Sequence, residues 1–107
     1  MIETADWVNL NLYRVFYYVA KEGSISAASK KLYVSQPAIS KSLKKLEESL
    51  NTKLFLRNLS GTELTEDGKA LFVYVENAYT SLLTAEKVLT ERSLLNKEGT
   101  INIESNY

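Results

Sequence analysis

Apolar positions along this chain repeat with two periods, and the changes of period mark its elements. Leu12, Val15, Phe16, Val19 and Ala20 follow the i, i+3, i+4, i+7, i+8 spacing of one helical face. Asn9 or Asn11 can cap that helix, and Gly23 supplies a left-handed stop. Tyr13, Tyr17 and Tyr18 read as packing or rim residues of this first helix. Ser24 or Ser26 opens a second, shorter helix that runs to about Tyr33, with Ala27, Ala28 and Leu32 small or apolar enough to meet a neighbour closely. Ser35 caps a third helix whose first turn holds Pro37, where a missing N–H costs little. In it Ile39, Leu43, Leu46 and Leu50 step by 4, 3 and 4 and define a buried face. Pro37, Lys41, Lys44 and Glu48 point the other way, with Ser40 and Lys45 on the flanks and Gln36 free to reach outward from the first turn. Asn51 can end the helix in the left-handed conformation.

Beyond Asn51 the period shortens. Lys53 to Arg57 and Thr62 to Thr65 are strand-capable and are joined by the turn-rich Asn58-Leu59-Ser60-Gly61. Thr65 then caps a long helix expected from Glu66 to Leu94 or Leu95, with Glu66 and Asp67 suited to its positive end. Roughly 30 residues at 1.5 Å each make it about 45 Å long, too long to be buried within so small a domain. Leu71, Val75, Ala78, Leu82, Ala85 and Leu89 step by 4, 3, 4, 3 and 4, a heptad seam that wants a partner helix. Phe72, Tyr79 and Leu83 form a second stripe, free to touch a partner's winged domain or the first helix. Asn96 to Gly99 should break the helix, and Thr100 to Glu104 alternates like a strand that opens a further domain.

The fold class that follows is mainly α: three helices and a two-stranded wing in residues 1–65, a long linker helix in 66–95, and a hinge with a first strand in 96–107. Between Gly23 and Leu56 the short helix, the tight connection at Tyr33-Val34 and the longer basic helix have almost no slack. That is the outline of a helix-turn-helix, whose second helix is built to lie in the major groove of DNA.

Charge sharpens this picture. The 107 residues carry no net charge. Residues 26–57, however, hold Lys30, Lys31, Lys41, Lys44, Lys45, Lys53 and Arg57 against Glu47 and Glu48, a balance of +5, whereas residues 58–107 stand at −4 and residues 1–25 at −1. A local basic zone attracts phosphate whatever the whole-chain balance. The chain has no cysteine and no histidine, so disulfides, thiolate nucleophiles, the usual zinc sites and histidine acid–base catalysis are excluded. Glu47 and Glu48 are adjacent on one helix, and Gly23, Gly61, Gly68 and Gly99 are scattered rather than gathered in a phosphate loop, so no enzyme, cofactor or metal is expected. No run approaches a membrane span, and the N-terminus, with Glu3 and Asp6, lacks a signal core; a cytoplasmic location is the expectation.

With these residues in view, the chain resembles the N-terminal part of a LysR-type transcriptional regulator. The resemblance runs over about residues 10–104. It is carried by Phe16, Ala20, Gly23-Ser24, Ala28, Leu32, Val34-Ser35-Gln36-Pro37-Ala38, Ser40, Leu46-Glu47-Glu48, Leu50, Leu54-Phe55, Arg57 and Leu64-Thr65-Glu66 with Gly68. It implies a winged helix-turn-helix followed by a linker helix that dimerises antiparallel, with double-stranded DNA as partner and an interrupted inverted repeat as target. It also implies a C-terminal domain outside these residues that binds a small effector and can raise the assembly to a tetramer. Gln36 and Pro37 match positions that meet base edges, Ser40 and Lys41 neighbouring positions, and Arg57 the wing arginine at the minor groove or its phosphates. A glutamine amide can pair with adenine through both its groups, and a lysine can reach guanine or phosphate. Ser24, Ser26, Ser35, Lys44 and Lys45 complete the expected DNA-binding set as phosphate contacts.

Three residues depart from the family's pattern. Lys41 stands where Arg is frequent, which weakens bidentate guanine reading. Ala27 stands where a basic or polar residue is frequent, and Leu56 replaces a common Glu between Phe55 and Arg57. The competing expectation is a winged dimerisation or protein-interaction module without specific DNA binding.

Overall fold

The computed structural model describes residues 8–99, with side chains described through Asn96. Described residues divide after Val75 into two units.

In the first unit, α1 spans Leu10–Glu22, α2 Ile25–Leu32 and α3 Gln36–Leu50. Each start is fixed by one side chain. The Asn9 carboxamide oxygen accepts from the N–H of Asn11 at 3.1 Å and of Leu12 at 3.4 Å. Ser24 Oγ accepts from Ala27 N–H at 3.0 Å, and Ser35 Oγ from Ala38 N–H at 3.2 Å. These caps satisfy donors that have no partner inside the helix. The ends are left-handed: Gly23 at φ 77°, Tyr33 at φ 58° and Asn51 at φ 56°.

Strands β1 (Phe55–Asn58) and β2 (Gly61–Leu64) pair antiparallel, with Phe55 opposite Leu64 and Asn58 opposite Gly61. The connection is the two residues Leu59-Ser60, where Asn58 Oδ1 accepts from Ser60 N–H at 3.0 Å. β1 begins two residues later than Lys53, and the N–H groups of Leu54 and Phe55 donate to the Glu47 carboxylate of α3. Helix α4 spans Glu66–Gly99, and its Gly68 N–H donates to Thr65 Oγ1 at 2.9 Å.

The core joins Leu12, Val15, Phe16 and Val19 of α1 to Ala28 and Leu32 of α2, Ile39, Leu43 and Leu46 of α3, and Leu54 and Phe55. Phe16 is its centre, with ring centroids 5.4 Å from Phe55 and 6.5 Å from Phe72. Leu50 does not belong to it. It shares the inward direction of Ile39, but it is 40% exposed, because the core along α3 ends at Leu46.

The start of α4 closes this unit. Leu71, Phe72 and Val75 pack half-buried on the core, and Phe72 lies parallel to Tyr17 of α1 with centroids 5.7 Å apart. Two of the six expected seam positions, Leu71 and Val75, therefore have neighbours in their own unit. A core this small is left open beside α1, and the first turns of α4 cover it.

In the second unit, residues 81–96 are all exposed. The expected break at Asn96 to Gly99 is absent, and α4 continues through Gly99. Lys and Glu are good helix formers and Asn costs little, so nothing local stops the helix at Asn96. The expected strand Thr100 to Glu104 lies outside the described residues. No helix among the described residues is long and apolar enough to cross a membrane.

Candidate nucleic-acid interface

Helix α3 has two opposed faces. Ile39, Leu43 and Leu46 are fully buried, while Gln36, Pro37, Lys41, Lys44 and Lys45 are exposed and Ser40 is half-buried. The sequence placed these residues on opposite sides, and the fold keeps them so. The N-terminus of α3 is open: Ser35, Gln36, Pro37 and Ala38 are all exposed. Ser35 Oγ is engaged as an acceptor by the cap, which leaves its O–H proton free to donate outward. Ser24 has the same arrangement at α2 but is half-buried, whereas Ser26 is exposed.

The connection between α2 and α3 is held from both sides by Ser29. Its Oγ donates to the Val34 carbonyl, and Val34 N–H donates to the Ser29 carbonyl at 3.3 Å. Sequence reasoning passed over Ser29, although a serine four residues before a left-handed cap residue is a visible signal for such a tie.

The wing is set against the helices by three contacts of different kinds. Glu47, on the flank of α3, accepts from Leu54 N–H at 2.8 Å and Phe55 N–H at 3.3 Å through Oε2. Its side chain is only 14% exposed, and Oε1 lies 3.9 Å from Lys53 Nζ. Thr65 bridges the other end, with its N–H on the Leu54 carbonyl at 2.9 Å and its Oγ1 on the Lys53 carbonyl at 2.7 Å. Thr62 N–H donates to the Gly23 carbonyl at 3.2 Å and ties β2 to the start of α2. Two glycines permit the closeness. A Cβ at Gly61, which sits at φ 136°, would lie 2.6 Å from the Gly23 carbonyl oxygen, and one at Gly68 2.2 Å from that of Leu54. Gly68 thus marks a close approach of the Leu54 carbonyl to a helix, a role its sequence position did not reveal.

Arg57 is exposed on β1 opposite Thr62. Among the described residues it makes no ion pair with Glu63 or Glu66; Glu66 instead lies 3.4 Å from Lys69 Nζ. Lys44, Lys53 and Arg57 border one groove between α3 and the wing. The structure thus brings Ser40 and Lys44 of α3 together with Arg57 at one groove, while Ser24 and Ser26 lie at a separate helix start. Of the expected dimerisation positions, Ala78, Leu82, Ala85 and Leu89 lie exposed in the second unit, while Leu71 and Val75 are half-buried in the first. Among the described residues no group of three acidic side chains is placed to hold a metal ion.

Residues 10–69 match the profile described as bacterial regulatory helix-turn-helix protein, lysR family. The chain is 36% identical over 94 residues to a probable RuBisCO transcriptional regulator of Emiliania huxleyi, covering 88% of this chain and 30% of that regulator. It is 37% identical over 84 residues to the glycine cleavage system transcriptional activator of Escherichia coli (strain K12), covering 78% of this chain and 28% of the activator. Among solved structures it is similar to the CbnR DBD–DNA complex, with a TM-score of 0.67 and 30% identity over 81% of this chain and 98% of that one. The chain therefore spans under a third of the length of these two curated relatives.

Proposed function

The chain belongs to the lysR family of bacterial regulatory helix-turn-helix proteins, and from that premise we propose that it binds double-stranded DNA in a sequence-specific way to regulate transcription. One observation carries the reading: the exposed face of α3 through Gln36, Pro37 and Lys41 is free of the protein interior, while the opposite face is locked into the core. Gln36 and Lys41 read base edges, with Pro37 and Ser40 beside them. Ser24, Ser26, Ser35, Lys44, Lys45 and Arg57 hold phosphates and set the register. Two copies, paired through Ala78, Leu82, Ala85 and Leu89, read the halves of an inverted repeat. Response to a small effector, and any tetramer, belong to a part of the protein outside these residues. The setting is the cytoplasm.

A fluorescence anisotropy titration tests this. The probes are a duplex selected from a random pool with this chain and its scrambled counterpart. The expected result is a clear preference for the selected duplex and a steep fall in affinity with salt. Gln36→Ala relaxes the preference at one base pair by about 1–3 kcal/mol. Equal binding to both duplexes overturns the reading and leaves a module that docks protein.

A further inference from the structure

We propose that Ser29 of α2 is a positioning residue for base recognition: it fixes the turn that carries Gln36, and so sets sequence preference without touching DNA. This rests on the DNA-binding reading and names what aims its base-reading turn.

The start of α3 is not placed by the core. Ser35, Gln36, Pro37 and Ala38 are all exposed, and the first buried residue of α3 is Ile39. Beneath the turn, Val34 and Ala38 border a cavity of about 120 Å³ against Asn11, Arg14 and Val15 of α1, so packing leaves the turn room to shift. Hydrogen bonds hold it instead, and they converge on Ser29. The Ser29 carbonyl accepts from Tyr33 N–H and from Val34 N–H, the latter at 3.3 Å, and its Oγ donates to the Val34 carbonyl. Both backbone polar groups of Val34 thus end on one residue of α2, immediately before the cap Ser35.

The turn needs such a tie. Tyr33 stands at φ 58°, a left-handed conformation that a residue other than Gly or Asn adopts at a cost. Its side chain is 93% exposed, so packing of the ring does not offset that cost. Without the Ser29 hydroxyl, Val34 and the cap sample other positions, and Gln36 meets its base pair in only a fraction of them. The apparent affinity for the cognate site falls by that fraction. Phosphate contacts carry no sequence information and survive small displacements.

Anisotropy titrations of the whole chain with the selected and scrambled duplexes test this. Ser29→Ala is expected to lower the preference for the selected duplex about three- to tenfold, the worth of one hydrogen bond, with scrambled affinity and the salt slope unchanged. In a Gln36→Ala background the same change is expected to add little further loss, because Ser29 acts through Gln36. In a Tyr33→Asn background, where the left-handed turn is favoured by the residue itself, the loss is expected to shrink. Amide exchange at Val34 and Gln36 in the free protein is expected to rise in Ser29→Ala while that at buried Leu43 stays parental, which separates local release from general destabilisation. Parental preference in Ser29→Ala, an equal loss on both duplexes, or an undiminished loss in the Gln36→Ala background overturns the proposal. If the parent prefers the selected duplex and Gln36→Ala relaxes that preference, the DNA-binding reading stands and only the role of Ser29 falls. A parent without preference removes both.

Discussion

Glu47→Ala removes a side chain that fastens the recognition helix to the start of the wing through two hydrogen bonds. In the parent a single carboxylate oxygen accepts from Leu54 N–H at 2.8 Å and Phe55 N–H at 3.3 Å, in a side chain 14% exposed. A hydrogen bond to a charged acceptor contributes about 1.5–3 kcal/mol, and the longer of these two sits at the weak end. The Lys53 pair at 3.9 Å adds little, because Lys53 is solvent-exposed. Since both bonds share one oxygen, their sum is less than twice one bond, and the expected loss is about 2–3 kcal/mol. Against a total stability of about 5–15 kcal/mol this is a large share, and it lowers Tm by roughly 10–20 °C. Urea unfolding at 25 °C followed by far-UV circular dichroism measures it, with the m-value unchanged. Glu47→Gln keeps an acceptor without the charge and is expected to lose about half as much. The same variants should weaken binding to selected and scrambled duplexes alike, because Arg57 is displaced. A midpoint for Glu47→Ala within about 0.5 kcal/mol of the parent would refute the reasoning, since that is the range of an uninvolved surface site.

Four further outcomes follow from the geometry. Gly68→Ala gains about 1 kcal/mol in helix propensity but drives a Cβ to 2.2 Å from the Leu54 carbonyl oxygen, so a net loss of about 1–3 kcal/mol is expected; a raised Tm would contradict it. Tyr33 is 93% exposed at φ 58°, and Tyr33→Asn is expected to stabilise by about 0.5–1 kcal/mol in the same unfolding assay, with a loss indicating that the ring supports the fold. Leu82→Asp with Leu89→Asp is expected to convert a dimer to a monomer in sedimentation equilibrium, while Leu71→Ala, which opens the first unit's core, lowers Tm by several degrees; an unchanged mass in the double variant would refute the pairing face.

The order of elements was legible from the residues because its signals are short-range. Asn9, Ser24 and Ser35 cap through groups two or three residues away, and Gly23 and Asn51 end helices through their own backbone conformation. The direction of each α3 side chain was equally legible, since 100° per residue separates Gln36, Lys41 and Lys44 from Ile39, Leu43 and Leu46 without reference to the rest of the chain. Folding added the closures. Glu47 read only as one of two adjacent acids until Leu54 and Phe55 were brought to it. Gly68 looked incidental until the Leu54 carbonyl lay against it. Leu71 and Val75 kept a perfect heptad step yet pack against the core of their own unit, and Leu50 kept the buried direction but lies beyond the end of that core. A periodicity fixes where a side chain points, because that depends on local dihedrals. What meets it there depends on segments far along the chain, and only the packed tertiary arrangement decides that.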